Sequence, residues 1–134
     1  LTLLHNKIRS GVTVRTDFRP LSVQGSSEEL SQVWLNLINN AVEAMDYSGT
    51  LLIETGTENG WARVRIIDSG PGIPEELQDK VFEPFFTTRQ HGAGLGLGLE
   101  ICRKIIEKHE GTIDFISRPG RTEFTVRLPA ERGS

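Results

Sequence analysis

What this sequence lacks narrows it before any motif is read. It has one cysteine, Cys102, so an intrachain disulfide is excluded. That thiol lies in "LEICRKIIEKH", spaced with Ile105 and Ile106 on an apolar helical stripe, and reads as a buried structural group. A reducing, cytoplasmic setting is thereby permitted. No apolar run reaches the roughly 18–20 residues that span a bilayer. The opening "LTLLHNKIRSG" is too short and too polar for a secretion signal. Nor is there an excess of positive charge: the formal net charge is -3 and the basic residues are scattered. That balance excludes the electrostatic footprint of a binder of nucleic acid or an anionic membrane. Internal repeats and interior linkers are absent as well.

What remains is a soluble, globular composition, with 37% hydrophobic and 25% charged residues in a chain of 134. That length carries one domain with a real core. The chain opens without an initiating methionine, inside the helical spacing of Leu1, Leu4 and Ile8. It is expected to be part of something larger. Residues 1–10 would be the end of a helix, 11–130 the domain, and 131–134 a tail.

Alternation and β-branched residues predict a strand over "VTVRTDF" (12–18). Ser27 is the candidate N-cap of a helix over about 28–46. On it Leu30, Val33, Trp34, Leu37, Ile38, Ala41 and Met45 form a wide apolar stripe. "TLLIETGTE" and "WARVRIID" read as a hairpin turned at Asn59-Gly60. A short helix is expected at 75–79, after Pro74. "VFEPFFTTRQHGAG" has weak periodicity and reads as a mobile segment pinned by aromatics. A second long helix runs from about 95 to 109 and ends at Gly111. "TIDFIS" and "TEFTVRLP" close the domain as a strand pair around "RPGR". Paired strands with two long helices predict an α+β fold: a two-layer α/β sandwich, helices on one face of a mixed, mostly antiparallel sheet.

Three places carry chemistry. Asn36 and Asn40 stand four apart on the first long helix and project from one face. They are either a solvated or capping pair, or oxygen donors for Mg²⁺, which often takes only one or two ligands from protein. Asp68 ends an apolar strand and runs into "SGPGIP". It is either a turn residue or the acceptor of an exocyclic amine such as adenine offers, with Gly70 and Gly72 letting the backbone pass close to a flat ligand. The third is "GAGLGLGL" (92–99). It matches neither the dinucleotide fingerprint nor the phosphate loop of nucleoside triphosphatases. Glycines ahead of a helix still leave free N–H groups and the positive end of a dipole, which suit phosphate.

In this order the motifs resemble a known family. "NLINNA" (36–41), "DSGPGI" (68–73), "FEPFFTT" (82–88) and "GAGLGL" (92–97) are similar to the N box, first glycine box, F box and second glycine box of sensor histidine kinases. Their superfamily also holds DNA gyrase, the mismatch-repair ATPases and a heat-shock chaperone, all on the Bergerat fold. The resemblance covers about residues 12–129 and includes the closing strands. It implies Mg²⁺ at Asn40 and the adenine amine at Asp68, in a pocket shaped by Gly70, Gly72 and Ile73. It implies phosphates at Gly92, Gly94 and Gly96, with Leu95 and Leu97 packing beneath. Phe82, Phe85 and Phe86 would anchor a lid of about 83–94, expected to be mobile over 87–94, with Thr88 also at the ATP. Arg89 would stand near the γ-phosphate, and Thr122 near the adenine. Two departures stand out: "SRPGRTEF" is shorter than the usual loop before Thr122, and Glu43 stands where many relatives have lysine.

The resemblance also separates kinase from hydrolase. The ATPase branch has a glutamate at the position of Asn36, and an amide cannot serve as a general base near neutral pH. Positioning and metal charge suffice for transfer to a better-placed nucleophile. The expected activity is therefore donation of the γ-phosphoryl group of Mg-ATP to a histidine. None of the three histidines fits that role: His5 lacks the acceptor context, His91 lies in the lid, and His109 is expected to pack or cap at a helix end. The acceptor is expected on dimerisation helices N-terminal to Leu1, with residues 1–10 connecting to them. The implied partners are ATP and ADP, those helices and a response regulator. The isolated domain would be a monomer and the full protein a homodimer. The alternatives are an ATP-hydrolysing or serine-kinase relative on the same fold, and a module that only binds nucleotide.

Overall fold

The computed structural model describes residues 11–18, 23, 25–46, 48–83 and 98–130. Five strands and two α-helices are built from them: β1 (Val12–Phe18), α1 (Ser27–Ala44), β2 (Gly49–Glu58), β3 (Trp61–Asp68), α2 (Gly98–Lys108), β4 (Thr112–Arg118) and β5 (Arg121–Pro129). A 3-10 helix spans Glu75–Lys80, entered through Pro74. The expectations placed on residues 1–10, 84–97 and 131–134 lie outside the described residues.

The sheet order is β1-β2-β3-β5-β4. β1 runs parallel to β2, with Val12 beside Gly49, and every other pairing is antiparallel. β2 and β3 form the expected hairpin. Asn59 and Gly60 both take positive φ, 55° and 83°, as a tight turn matched to strand twist requires.

Alternation decides which side of each strand is buried. Ala62, Val64 and Ile66 of β3 turn inward, as do Phe124, Val126 and Leu128 of β5. Onto that face α1 lays Leu30, Val33, Leu37, Ile38, Ala41 and Val42, and α2 lays Leu99, Cys102, Ile105 and Ile106. Cys102 is fully buried, as its place on the stripe predicts. The outer face is polar: Arg65 pairs with Glu54 at 2.7 Å and Glu123 at 3.0 Å, and Arg121 joins Glu123 at 2.9 Å.

The helix ends differ in detail from expectation. The N-cap of α1 is Ser26, not Ser27. Ser26 is extended, and its hydroxyl accepts the Glu29 N–H at 3.1 Å, a reach that the already helical Ser27 does not have. Helix α1 ends at Ala44, with Met45 and Asp46 forming a turn. At the end of α2 the left-handed residue is Glu110, with φ 66°, rather than Gly111. Gly111 serves close approach instead: a Cβ there would overlap the Arg127 carbonyl.

His109 links the two helices. Its Nε2 accepts the Ser26 N–H at 3.1 Å, and its Nδ1 donates to the Ile105 carbonyl at 2.8 Å. It packs and caps, as its position suggests. Glu29, the third residue of α1, turns aside to Lys108 at 2.9 Å.

Candidate functional site

The alternation that buries Ile66 also turns Asp68 inward, at the end of β3, where it is only 4% exposed. Register then assembles a row. Asp68 pairs with Thr122 on β5, and Thr122 pairs with Ser117 on β4. Polar side chains from three strands thus stand side by side at one end of the inner face. The short loop before Thr122 does not displace it from Asp68.

Beyond β3 the chain turns back through "SGPGIP". Gly70 donates its N–H to Asp68 Oδ1 at 2.9 Å. A Cβ on Gly70 would sit 2.9 Å from that oxygen and 3.2 Å from the Ala44 carbonyl. Gly72 takes φ +91°, and a Cβ there would lie 2.5 Å from the Arg118 carbonyl. Gly72 is therefore required by its contact with the β4–β5 turn, whereas a side chain at Gly70 would press on the Asp68 carboxylate.

Hydrogen bonds fix it there. Ile73 donates its N–H to Ser117 Oγ at 2.7 Å, and Ser117 Oγ meets Thr122 Oγ1 at 2.8 Å. Gln78, on the 3-10 helix, donates to the carbonyls of Ile73 at 2.9 Å and Ser117 at 3.5 Å.

A cavity of about 850 Å³ opens between this loop and α1. Asp68, Thr122, Ile73 and Gly72 line its strand end, and Asn40, Glu43 and Ala44 line its helix wall. Its volume falls within the range of small-molecule sites. Burial pushes the Asp68 carboxyl up to about 6, opposed by the Gly70 N–H.

The two asparagines part company. Asn40 is exposed and faces the cavity. Asn36 does not line it. Its side chain is half-buried against α2, with its Cβ 3.6 Å from where a Cβ on Gly98 would stand, and nearby the Cys102 thiol donates to the Val33 carbonyl at 3.7 Å. Phe82 is held beside the site by Phe115 and Phe124, ring centroids 6.0 Å and 6.5 Å away, and by the Arg103 guanidinium 5.1 Å above its ring.

Phe85, Phe86, Thr88, Arg89, Gly92, Gly94, Leu95, Gly96 and Leu97 lie outside the described residues. Three residues on or beside the cavity were given no role of their own by the motifs. Leu99 closes the glycine-rich stretch 92–99 and lines the wall. Ser117 is a polar residue at an inward position of β4, after Ile113 and Phe115, and that break in the pattern is a usable signal. Gln78 has no signal in the sequence.

Residues 25–132 match the family described as histidine kinase-, DNA gyrase B- and HSP90-like ATPase. Among curated proteins, the sensory histidine kinase/phosphatase NtrB of Escherichia coli O157:H7 is 35% identical, over 98% of this chain and 41% of its own. The chain thus spans about two fifths of that relative's length. The nucleotide-free catalytic domain of histidine kinase ThkA superposes with a TM-score of 0.83 at 39% identity, covering 96% of this chain and 86% of that one. ThkA has also been solved in complex with the response regulator TrrA; that chain gives a TM-score of 0.76 at 34% identity, covering 97% of this chain and 37% of its own.

Proposed function

The chain belongs to the histidine kinase-, DNA gyrase B- and HSP90-like ATPase family, as an ATP-binding catalytic domain of histidine-kinase type, and from that premise we propose what each part of the site does. Asp68 accepts the exocyclic amine of adenine, and Thr122 serves the neighbouring edge of the ring. Gly70, Gly72 and Ile73 form the flat wall against which the base lies. The observation that carries this reading is the buried, inward Asp68 in register with Thr122 on the cavity wall.

Asn40 presents an amide oxygen on the helix wall, with the Glu43 carboxylate nearby. Hard oxygen donors of this kind fit Mg²⁺, and one protein ligand is enough when phosphate and water supply the rest. When bound, the ion neutralises developing phosphate charge. The second glycine box and Arg89 hold the phosphates.

The γ-phosphoryl group goes to a histidine that lies outside this chain, on helices that pair two copies of the full protein. From there it passes to a response regulator, the class of partner that ThkA was solved with. Asn36 supports transfer over hydrolysis. It carries no base, and it does not line the cavity. Among the described residues no helix is long and apolar enough to cross a membrane. We place this domain in the cytoplasm, with the ATP and the response regulator that it is proposed to serve.

The test is retention. The domain is incubated with Mg²⁺ and γ-labelled ATP, separated from free ligand, and the bound nucleotide is identified. Intact ATP supports a kinase module awaiting its acceptor. ADP with released phosphate would replace this reading with an ATPase. Asp68→Ala should abolish binding, and wild-type affinity in that variant would remove the adenine assignment.

A further inference from the structure

Ser117 is absent from the motifs and half-buried, yet it stands at the junction of three elements. Its Oγ accepts the Ile73 N–H at 2.7 Å, a bond whose direction is fixed because a backbone N–H only donates. Thr122 Oγ1 lies 2.8 Å away, and either hydroxyl can be the donor. With one Ser117 lone pair taken by the Ile73 N–H, donation from Ser117 to Thr122 leaves the Thr122 proton for the cavity. Thr122 is 4% exposed and lies on the cavity wall beside Asp68.

We propose that Ser117 is a positioning residue for base recognition: by receiving from Ile73 and donating to Thr122, it commits Thr122 as a hydrogen-bond donor beside the acceptor Asp68. This rests on the adenine reading given above. An acceptor and a donor side by side match the amine and the N1 lone pair of adenine. They oppose the carbonyl and N1–H of hypoxanthine or guanine. Donation from Ser117 also polarises the Thr122 O–H, since consecutive hydrogen bonds strengthen one another. Gln78 keeps the device in register by holding the carbonyls of both Ile73 and Ser117.

The test compares binding of ATP, 1-deaza-ATP and inosine triphosphate to the domain by calorimetry. 1-Deaza-ATP keeps the amine that meets Asp68 and loses only the N1 acceptor. Wild-type protein should bind it about tenfold more weakly than ATP, the worth of one neutral hydrogen bond. Ser117→Ala should shrink that penalty to about fivefold by weakening ATP alone, as a polarising partner is lost. Thr122→Val should erase the penalty, and Ser117→Thr, which keeps the hydroxyl, should restore it. If Ser117→Ala weakens both ligands equally, or the tenfold penalty survives it, Ser117 is merely structural and the inference falls. An absent penalty in wild type would overturn it as well. If wild type fails even to prefer ATP over inosine triphosphate, the adenine reading itself fails, a separate result.

Discussion

Burial raises the Asp68 carboxyl from 3.8 to about 6 in the folded chain, so between those values the folded state holds a proton that the unfolded chain has released. Stability from this group is full below the lower value and lost as pH rises through the upper one. At neutral pH the buried carboxylate costs about 2–3 kcal/mol. Asp68→Asn should therefore melt higher than wild type at pH 7.5, with the gain fading toward pH 4 in thermal scans. The same variant should bind nucleotide poorly. In wild type, ADP affinity should be level above pH 7 and weaken below 6, and this fall should be missing in Asp68→Asn. Asp68 was legible because a carboxylate at the end of an apolar strand, ahead of two glycines, breaks the local pattern. Ser117 and Gln78 were less so: their importance lies in partners 44 and 39 residues distant.

Apart from the start of α2, expected near 95 and outside the described residues, elements were legible to within a residue or two, because periodicity and turn chemistry are local. The exceptions are caps. "SSEE" announces a helix start but leaves two serines to choose from, and the choice is made by which hydroxyl reaches the Glu29 N–H. Ser26→Ala should cost about 1 kcal/mol. His109→Ala orphans the Ser26 N–H and opens space beneath Gly25, costing roughly 2–3 kcal/mol. Both losses converge on Ser26, so the double variant should fall short of their sum in a denaturant cycle. The outer face of the sheet shows the opposite pH sign to Asp68. Arg65 holds the Glu123 carboxyl below the usual range, so its stability is present above that range and lost as pH falls through the folded value. Glu123→Gln should lose about 1 kcal/mol at pH 7 and match wild type once both are acidified.

At the scale of the molecule, the two layers followed from counting strands and helices, whereas the sheet order did not. β5 lies between β3 and β4, and β1 pairs in parallel with a strand that begins beyond α1. Such pairings are chosen by the whole inner face at once, and no local pattern encodes them. The site inherits this: the Asp68–Thr122–Ser117 row exists only because β5 lies between β3 and β4. Behind that row, Cys102 seals the contact between α1 and α2, fully buried, with its thiol pushed up to about 12 by burial. A sulfhydryl in that state is inert to alkylating reagents until the helices part. Its modification rate is therefore a clock for the parting of α1 and α2. Nucleotide held in the cavity should slow that clock by a factor of about one plus the ratio of ligand concentration to dissociation constant. The chain thus carries its own affinity gauge, readable by mass spectrometry without a label on protein or nucleotide.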